Sequence, residues 1–301
     1  MLIFSVNPAE ASGILLEYSA GVRELSMGDI GAAFRAEPGA IGANPASVAG
    51  IPALAASFIY DNLYLDTSIY YAGAAFPFKN LTVGMTYLWY DGGDFKINYP
   101  EDLSLHRRTI KAMSEHLISA VLAGQLTEKL AGGISARYLY SGFLEDYKFD
   151  TFTADLGLVF NSGVWSFGVE RIHTRPWSEG LGLGISLKNI FGETGYFSEK
   201  DSLEKILRAG MVYRIRFNRE AALTTGVDFL YSGADGLRPS LGLEYNHANI
   251  LMLRTGYIFT EGANRMSFGI GLGHSGLRAD YGFLPSSAMN HRHLLMFSFS
   301  L

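Results

Sequence analysis

From about Ala53 onward the chain is a series of short segments in which apolar residues alternate with polar or small ones. In 180–190, Leu181, Leu183, Ile185 and Leu187 oppose Gly182, Gly184, Ser186 and Lys188. In 205–217, Leu207, Ala209, Met211, Tyr213 and Ile215 oppose Arg208, Gly210, Arg214 and Arg216. In 221–231, Leu223, Val227, Phe229 and Tyr231 oppose Thr224, Gly226 and Asp228. Segments 237–246 and 250–259 repeat the pattern, with Arg238, Glu244 and Arg254 on their polar faces. Side chains alternate faces along a strand, so each segment has one greasy and one polar face. The spacing predicts strands over 53–61, 65–77, 80–91, 108–126, 131–145, 149–161, 180–190, 205–217, 221–231, 237–246, 250–259, 265–274, 277–285 and 291–301. That is fourteen, an even number, as bacterial single-chain barrels require.

A soluble sandwich also alternates, with its greasy face inward. Two features favour the inverted, membrane arrangement. Most of the later strands keep the pattern with no helix to cover a sheet. The loops also differ in length: turns near Phe78-Lys79, Glu128-Lys129, 218–220 and 247–249 are tight, whereas 92–107 and 191–204 are long. Outer-membrane barrels have short periplasmic turns and longer outer loops. Aromatics gather near segment ends (Tyr60, Tyr64, Tyr87, Trp89, Tyr90, Tyr138, Tyr140, Tyr231, Tyr257 and Phe259), as an interfacial girdle requires. The last segment, HRHLLMFSFSL, puts His293, Leu295, Phe297, Phe299 and Leu301 on one face, suited to closing a barrel against its first strand. The expected fold is therefore all-β: a transmembrane outer-membrane barrel of about fourteen antiparallel strands. Segment 108–126 is over-long for one strand, and residues 163–179 fit the pattern poorly.

The first fifty residues have a different texture. Residues 1–11, MLIFSVNPAEA, resemble the tail of a secretory signal, although a basic n-region is missing. Residues 12–50 show no period-two alternation and are broken by Pro38-Gly39, Gly42 and Asn44-Pro45. They read as a compact N-terminal plug, or hatch, inside the lumen, with residues 51–301 as the barrel.

Composition narrows the picture further. Charged residues make up 18% of the chain, against roughly 25% in soluble domains, and aromatics 13%. The formal net charge is −5 with no basic run, so nucleic acid is not an expected partner. There is no cysteine, hence no thiolate metal site. No apolar run approaches the ~18 residues of a membrane-spanning helix.

The polar face supplies a lumen set of charges: Arg137, Asp155, Lys188, Arg208, Arg214, Asp228, Arg238, Glu244, Arg254, Arg278, Asp280 and Arg292. Both signs are present. Two readings stay open: a selectivity ring or docking surface for a ligand carboxylate, and ion pairs holding the plug. Glycines alternating at Gly182-Gly184 and Gly269-Gly271-Gly273 lie within strands, so they read as small inward residues making room for the hatch rather than as a phosphate loop. His291 and His293 share a face, but no acidic or cysteine partner lies nearby in sequence, and no metal, cofactor or catalytic group is expected. Arg23, Met27-Gly28-Asp29 and Asn44-Pro45-Ala46 are the candidate ligand or gating residues of the hatch, with packing as the plain alternative.

The N-terminal motifs resemble the PorV/PorQ family of outer-membrane proteins, within the broader FadL-type barrel superfamily of Gram-negative bacteria. Gly21, Arg23, Leu25, Met27 and Gly28 match its glycine-arginine-x-leucine-x-methionine-glycine stretch, with Val22 as an insertion. Asn44, Pro45 and Ala46 match its asparagine-proline-alanine box, and Leu187-Lys188-Asn189-Ile190-Phe191 partly matches a strand-end motif. The resemblance implies a fourteen-stranded barrel with the N-terminal segment inside. It also implies one of two roles: transport of a hydrophobic, fatty-acid-like small molecule across the outer membrane, or binding of protein cargo in type IX secretion. Its partners would then be outer-membrane lipid with either a hydrophobic ligand or secretion-system proteins. A structural outer-membrane protein is the third alternative.

Overall fold

A computed structural model of the chain describes residues 13–19, 21–64, 67–101, 104–144, 146–162, 180–195, 200–260, 265–286 and 290–301. The signal-like residues 1–11 and the irregular 163–179 thus lie outside the described residues. Alternation becomes a single closed antiparallel barrel of fourteen strands. In chain order these are β1 (Ala55–Asn62), β2 (Ser68–Phe78), β3 (Leu81–Asp91), β4 (Met113–Gln125), β5 (Leu130–Phe143), β6 (Tyr147–Asn161) and β7 (Gly180–Lys188). The second half comprises β8 (Ile206–Arg216), β9 (Ala221–Ser232), β10 (Gly236–His247), β11 (Leu251–Ile258), β12 (Arg265–His274), β13 (Leu277–Leu284) and β14 (Arg292–Ser300). The last strand pairs with the first, from Ala55 opposite Ser300 to Asn62 opposite His293, so the sheet has no free edge.

The faces fall as the alternation predicts. Phe58, Met85, Phe152, Leu183, Met211, Phe229, Leu253 and Phe297 are exposed on the outside, while every second residue between them is buried. An exposed apolar band around a closed barrel, with its backbone bonds satisfied within the wall, is a surface made for lipid. The barrel is therefore membrane-embedded and of the outer-membrane type. The turn at Lys79-Asn80 and those between β8 and β9, β10 and β11, and β12 and β13 are short and share one end, which is periplasmic. Residues 162–179 join β6 and β7 at that same end, and the opposite end, assigned as outer, carries the long 92–112 and 189–205 connections along with short turns at 144–146 and 233–235. There Tyr60, Tyr70, Trp89 and His116 stack in cross-strand sequence, with ring centroids 4.9–6.3 Å apart. Tyr90, expected in this girdle, faces the lumen instead. It follows Trp89 by one residue, so the pleat turns it inward.

The expected strand 108–126 is also corrected. Residues Ser104–Lys111 pair with Asp94–Glu101 in a hairpin outside the wall, and the wall strand begins at Met113. Ala112 marks the change, its N–H bonding to Gly93 O while Gly92 N–H bonds to Met113 O. The 92–107 connection is therefore mostly strand, and the double hairpin explains why alternation is weak there.

Residues 13–54 run through the lumen from the outer end to the periplasmic end, where Leu54 leads into β1. They form two short helices, α1 (Ile14–Glu17) and α2 (Val22–Ser26), and two 3-10 turns, Pro38–Gly42 and Pro45–Val48. This segment lies on a floor of glycine. Gly226, Gly242, Gly256 and Ser267 are register neighbours across β9 to β12, and the backbone of Met27-Gly28 crosses that row. A Cβ on Gly256 would lie 1.9 Å from Gly28 N, and one on Gly242 2.3 Å from Met27 O. Replacing Gly256 with alanine should leave the barrel closed but unseat this segment, at a cost of about 1–3 kcal/mol in overpacking. Limited proteolysis of residues 21–50 should become fast while the heat-modifiable barrel band on gels persists. Gly142→Ala, whose Cβ would meet nothing nearer than 3.9 Å, should change neither.

Candidate functional site

The N-terminal segment is held by buried charges on the inner wall. Arg23 on α2 forms a bidentate pair with Glu244 of β10, at 2.6 and 2.9 Å, and reaches Glu37 at 2.8 Å. Glu244 also accepts from Arg254 of β11 at 2.7 Å, and Arg254 pairs with Asp280 of β13 at 2.6 Å. Arg278 bonds Asp280 at 2.6 Å and faces Glu37 at 3.7 Å. The result is a closed ring of three arginines and three carboxylates, two members from the segment and four from the wall. Alternating signs let each charge meet two opposite ones, which offsets the desolvation of burying them. Arg23 also lies over the Phe34 ring, 4.3 Å from its centroid. Burial disfavours its charge, but Glu244 and then Glu37 outweigh this and raise its pKa.

A second cluster fixes the Met27-Gly28-Asp29 motif. Gly28 and Asp29 have positive φ of 76° and 60°, and reverse the chain after α2. The turn aims Gly28 N–H at Ser267 Oγ, 3.0 Å away, and Gly31 and Ala32 N–H at Asp228, 2.8 and 2.9 Å away. Arg208 joins Asp29, at 2.9 Å, to Asp228, at 3.5 Å. Burial raises the Asp29 pKa less than the Arg208 guanidinium lowers it.

The Asn44-Pro45-Ala46 motif lies against β6 and β7, which share six residue pairs among the described residues. The Asn44 amide donates to Ala32 O at 2.6 Å and faces Leu158 O and Ile185 O, register partners on β6 and β7, at 3.2 and 3.3 Å. Its Oδ1 accepts from Ala46 N–H, capping the 3-10 turn. Pro45 lies against Gly133 and Gly157, where a Cβ would come within 3 Å of it. Just above the seam, β7 ends as Asn189 takes φ 56° and its N–H bonds to the Asp155 side chain instead of the β6 backbone.

At the outer end, the side chain of Glu115 on β4 accepts from Gly13 and Leu15 N–H at 2.8 and 3.1 Å. Arg137 donates to Leu15 O and Leu16 O and pairs with Asp155. Arg292 pairs with Asp61, which also accepts from the Tyr18 hydroxyl at 2.6 Å. Burial and the nearby Asp61 carboxylate push the Tyr18 hydroxyl well above its usual range. These anchors present Leu15 and Leu16 to an apolar pocket of Ile59, Ile69, Leu88, Leu117, Leu139 and Leu294. A small cavity of about 20 Å³ remains between the segment and β2–β6, lined by Leu15, Tyr71, Leu117, Ser119 and Arg137 among others.

Of the charges expected in the lumen, ten contact the segment or its partners. Arg238 differs, pairing with Asp235 in the outer turn before β10. Arg214 faces Arg23 and Glu244 from β8. Lys188 is fully buried, with its ammonium 3.5 Å from Glu17 O. His293 points outward and bonds the Tyr281 hydroxyl at 2.7 Å, while the His291 ring stacks edge-on to Phe283. Sequence reasoning missed Glu37, Asp61 and Glu115. Glu37 lies in a segment with no periodicity to assign its face, and Glu115 lies in the misread strand 108–126. Asp61 was legible, since the alternation of Phe58 and Tyr60 turns it inward.

Glu244→Gln should strip one charge from between Arg23 and Arg254. Breaking a buried pair in this way costs about 3–5 kcal/mol. Chemical denaturation should show the N-terminal segment releasing before the barrel, whereas wild-type protein loses both together.

No protein-family model matches the chain, and no curated protein matches it. Among solved structures it is similar to the toluene transporter TbuX of Ralstonia pickettii, at 12% identity and TM-score 0.57, over 95% of this chain and 99% of that one. The toluene transporter TodX of Pseudomonas putida gives 11% identity and TM-score 0.58, over 95% and 99%. A FadL homologue of Pseudomonas aeruginosa gives 10% and 0.58, over 94% and 98%. The chain thus shares, over nearly its whole length, the fold of FadL-type outer-membrane transporters.

Proposed function

We propose that this protein admits a hydrophobic small molecule across the outer membrane, with residues 13–54 as its gate. The observation that carries this reading is the unequal lining of the lumen. Toward β8–β13 the segment is tied by the charge ring and the Arg208 cluster. Toward β2–β5, in the outer half, its Leu15 and Leu16 side chains fill an apolar pocket with a cavity alongside, while Glu115 and Arg137 bond only its backbone there. Two leucines there occupy the volume that an acyl chain or a single aromatic ring would take. Burying such a group returns about 25 cal/mol per Å² of apolar surface, enough to compete with the leucines it displaces. Arg137 borders this pocket, suited to the carboxylate of a fatty-acid-like ligand.

The β6–β7 seam, where Asn44 on the segment reaches Leu158 O and Ile185 O, offers the route outward from the lumen into the bilayer. The fold shared with structures described as toluene transporters and as a FadL homologue supports the same reading. A role in type IX secretion rests on the N-terminal motifs alone, since none of these three structures is described as a secretion component.

Uptake into proteoliposomes tests the proposal, with radiolabelled toluene and oleate as separate probes. Wild-type protein should carry at least one of them faster than protein-free vesicles, and the other probe then reports selectivity. Leu15→Ala combined with Leu16→Ala should empty the pocket and raise that flux several-fold. Flux no greater than in protein-free vesicles, for both probes and both proteins, would rule transport out.

A further inference from the structure

Glu24 on α2 is used by none of these contacts. It is 1% exposed, and neither of its carboxyl oxygens has a hydrogen-bond partner; its own N–H lies near but makes no hydrogen bond with it. The group is wedged between two glycines. A Cβ on Gly21 would lie 1.5 Å from Oε2, and one on Gly39 3.2 Å from it. Charged and titratable neighbours face it from each side. Within the segment these are Glu37, of like charge, and Arg23, already paired with Glu244 and Glu37. From the wall they are Arg278 of β13, paired with Asp280, and the Tyr71 hydroxyl of β2. The Gly31 position, beside the Glu24 side chain, also borders Arg208, which is paired with Asp29 and Asp228. Every nearby cation thus has a carboxylate of its own. An ionised Glu24 would be a dry anion beside another anion, and in the seated arrangement neither Arg278 nor the Tyr71 hydroxyl is hydrogen-bonded to it.

We propose that Glu24 is a proton-operated latch: neutral, it lets α2 seat between the Pro38–Gly42 turn and strands β11–β13, and on losing its proton to water it drives the segment from that bed. The sign follows from linkage. Burial, and then Glu37, push the seated carboxyl up to about 8 from its ordinary 4.5. The seated form keeps its proton across that window while the released form gives it up. Stability of the seated segment is therefore full below the ordinary value and falls as pH rises toward about 8. Release should grow by about tenfold per pH unit in that interval and level off above it.

Amide hydrogen exchange over residues 21–31 of the full-length protein in lipid nanodiscs reads this directly, between pH 5 and 9, after correction for hydroxide catalysis. Wild-type protein should show the tenfold-per-unit rise and the plateau, and Glu24→Gln should show a flat profile. If Gln disturbs the packing, Glu24→Met serves as the second neutral form and should also be flat. A flat wild-type profile overturns the latch, and so does a slope that survives in a neutral variant. The readout needs no substrate, so failure of the latch and failure of the transport reading are distinguishable.

Discussion

The structure depends on the close approach of one irregular backbone to a β-wall. A barrel of fourteen strands encloses a lumen that side chains from the wall alone do not fill here, because outside its apolar outer pocket the inner face is rich in glycine, serine and charge. The row Gly226, Gly242, Gly256 and Ser267 lets the Met27-Gly28 backbone lie against the wall at a distance no Cβ would allow. The charges follow from that approach. Polar groups of the segment, brought into a lumen closed to water, need partners, and the wall supplies them as Asp228, Glu115, Arg137 and the ring through Glu244.

These contacts give the assembly two modes of attachment. The charge ring and the Asp228 cluster are directional and costly to break singly, and they hold residues 21–37. The side-chain contact of Leu15 and Leu16 is apolar and non-directional, so another apolar group can replace it even though Glu115 and Arg137 bond their backbone. A gate needs both properties: a part that stays registered with the wall and a part that a ligand can displace. Asn44 connects the two regions at the β6–β7 seam, bonding the segment to both strands.

Much of this was legible in the chain. Period-two alternation located the fourteen strands, with 108–126 begun too early, and the faces of the most regular ones, because lipid outside and a polar lumen inside impose the strongest contrast a strand can carry. The lumen charges followed from the same register, as did the reading of Gly182 and Gly184 as room for another backbone, now seen against Ala32 and Ala33. Failures came where alternation is interrupted. The hairpin at 94–111 continues the β pattern beyond the wall, so its boundary at Ala112 left no mark. Glu24, Glu37 and the Leu15-Leu16 pair lie in a segment whose conformation is dictated by the wall rather than by its own periodicity. Their roles depend on contacts distant in sequence, such as Leu15 with Glu115 a hundred residues away, which local pattern does not encode.

The central claim is that the outer apolar pocket is a ligand site occupied by the protein's own leucines. A structure of the purified protein equilibrated with oleate or toluene tests it most directly. The account predicts the added molecule between Leu88, Leu117 and Leu139, with Leu15 and Leu16 displaced and the Arg23–Glu244 pair intact. Leucines unmoved at saturating ligand, with the molecule only on the outer wall, would contradict it.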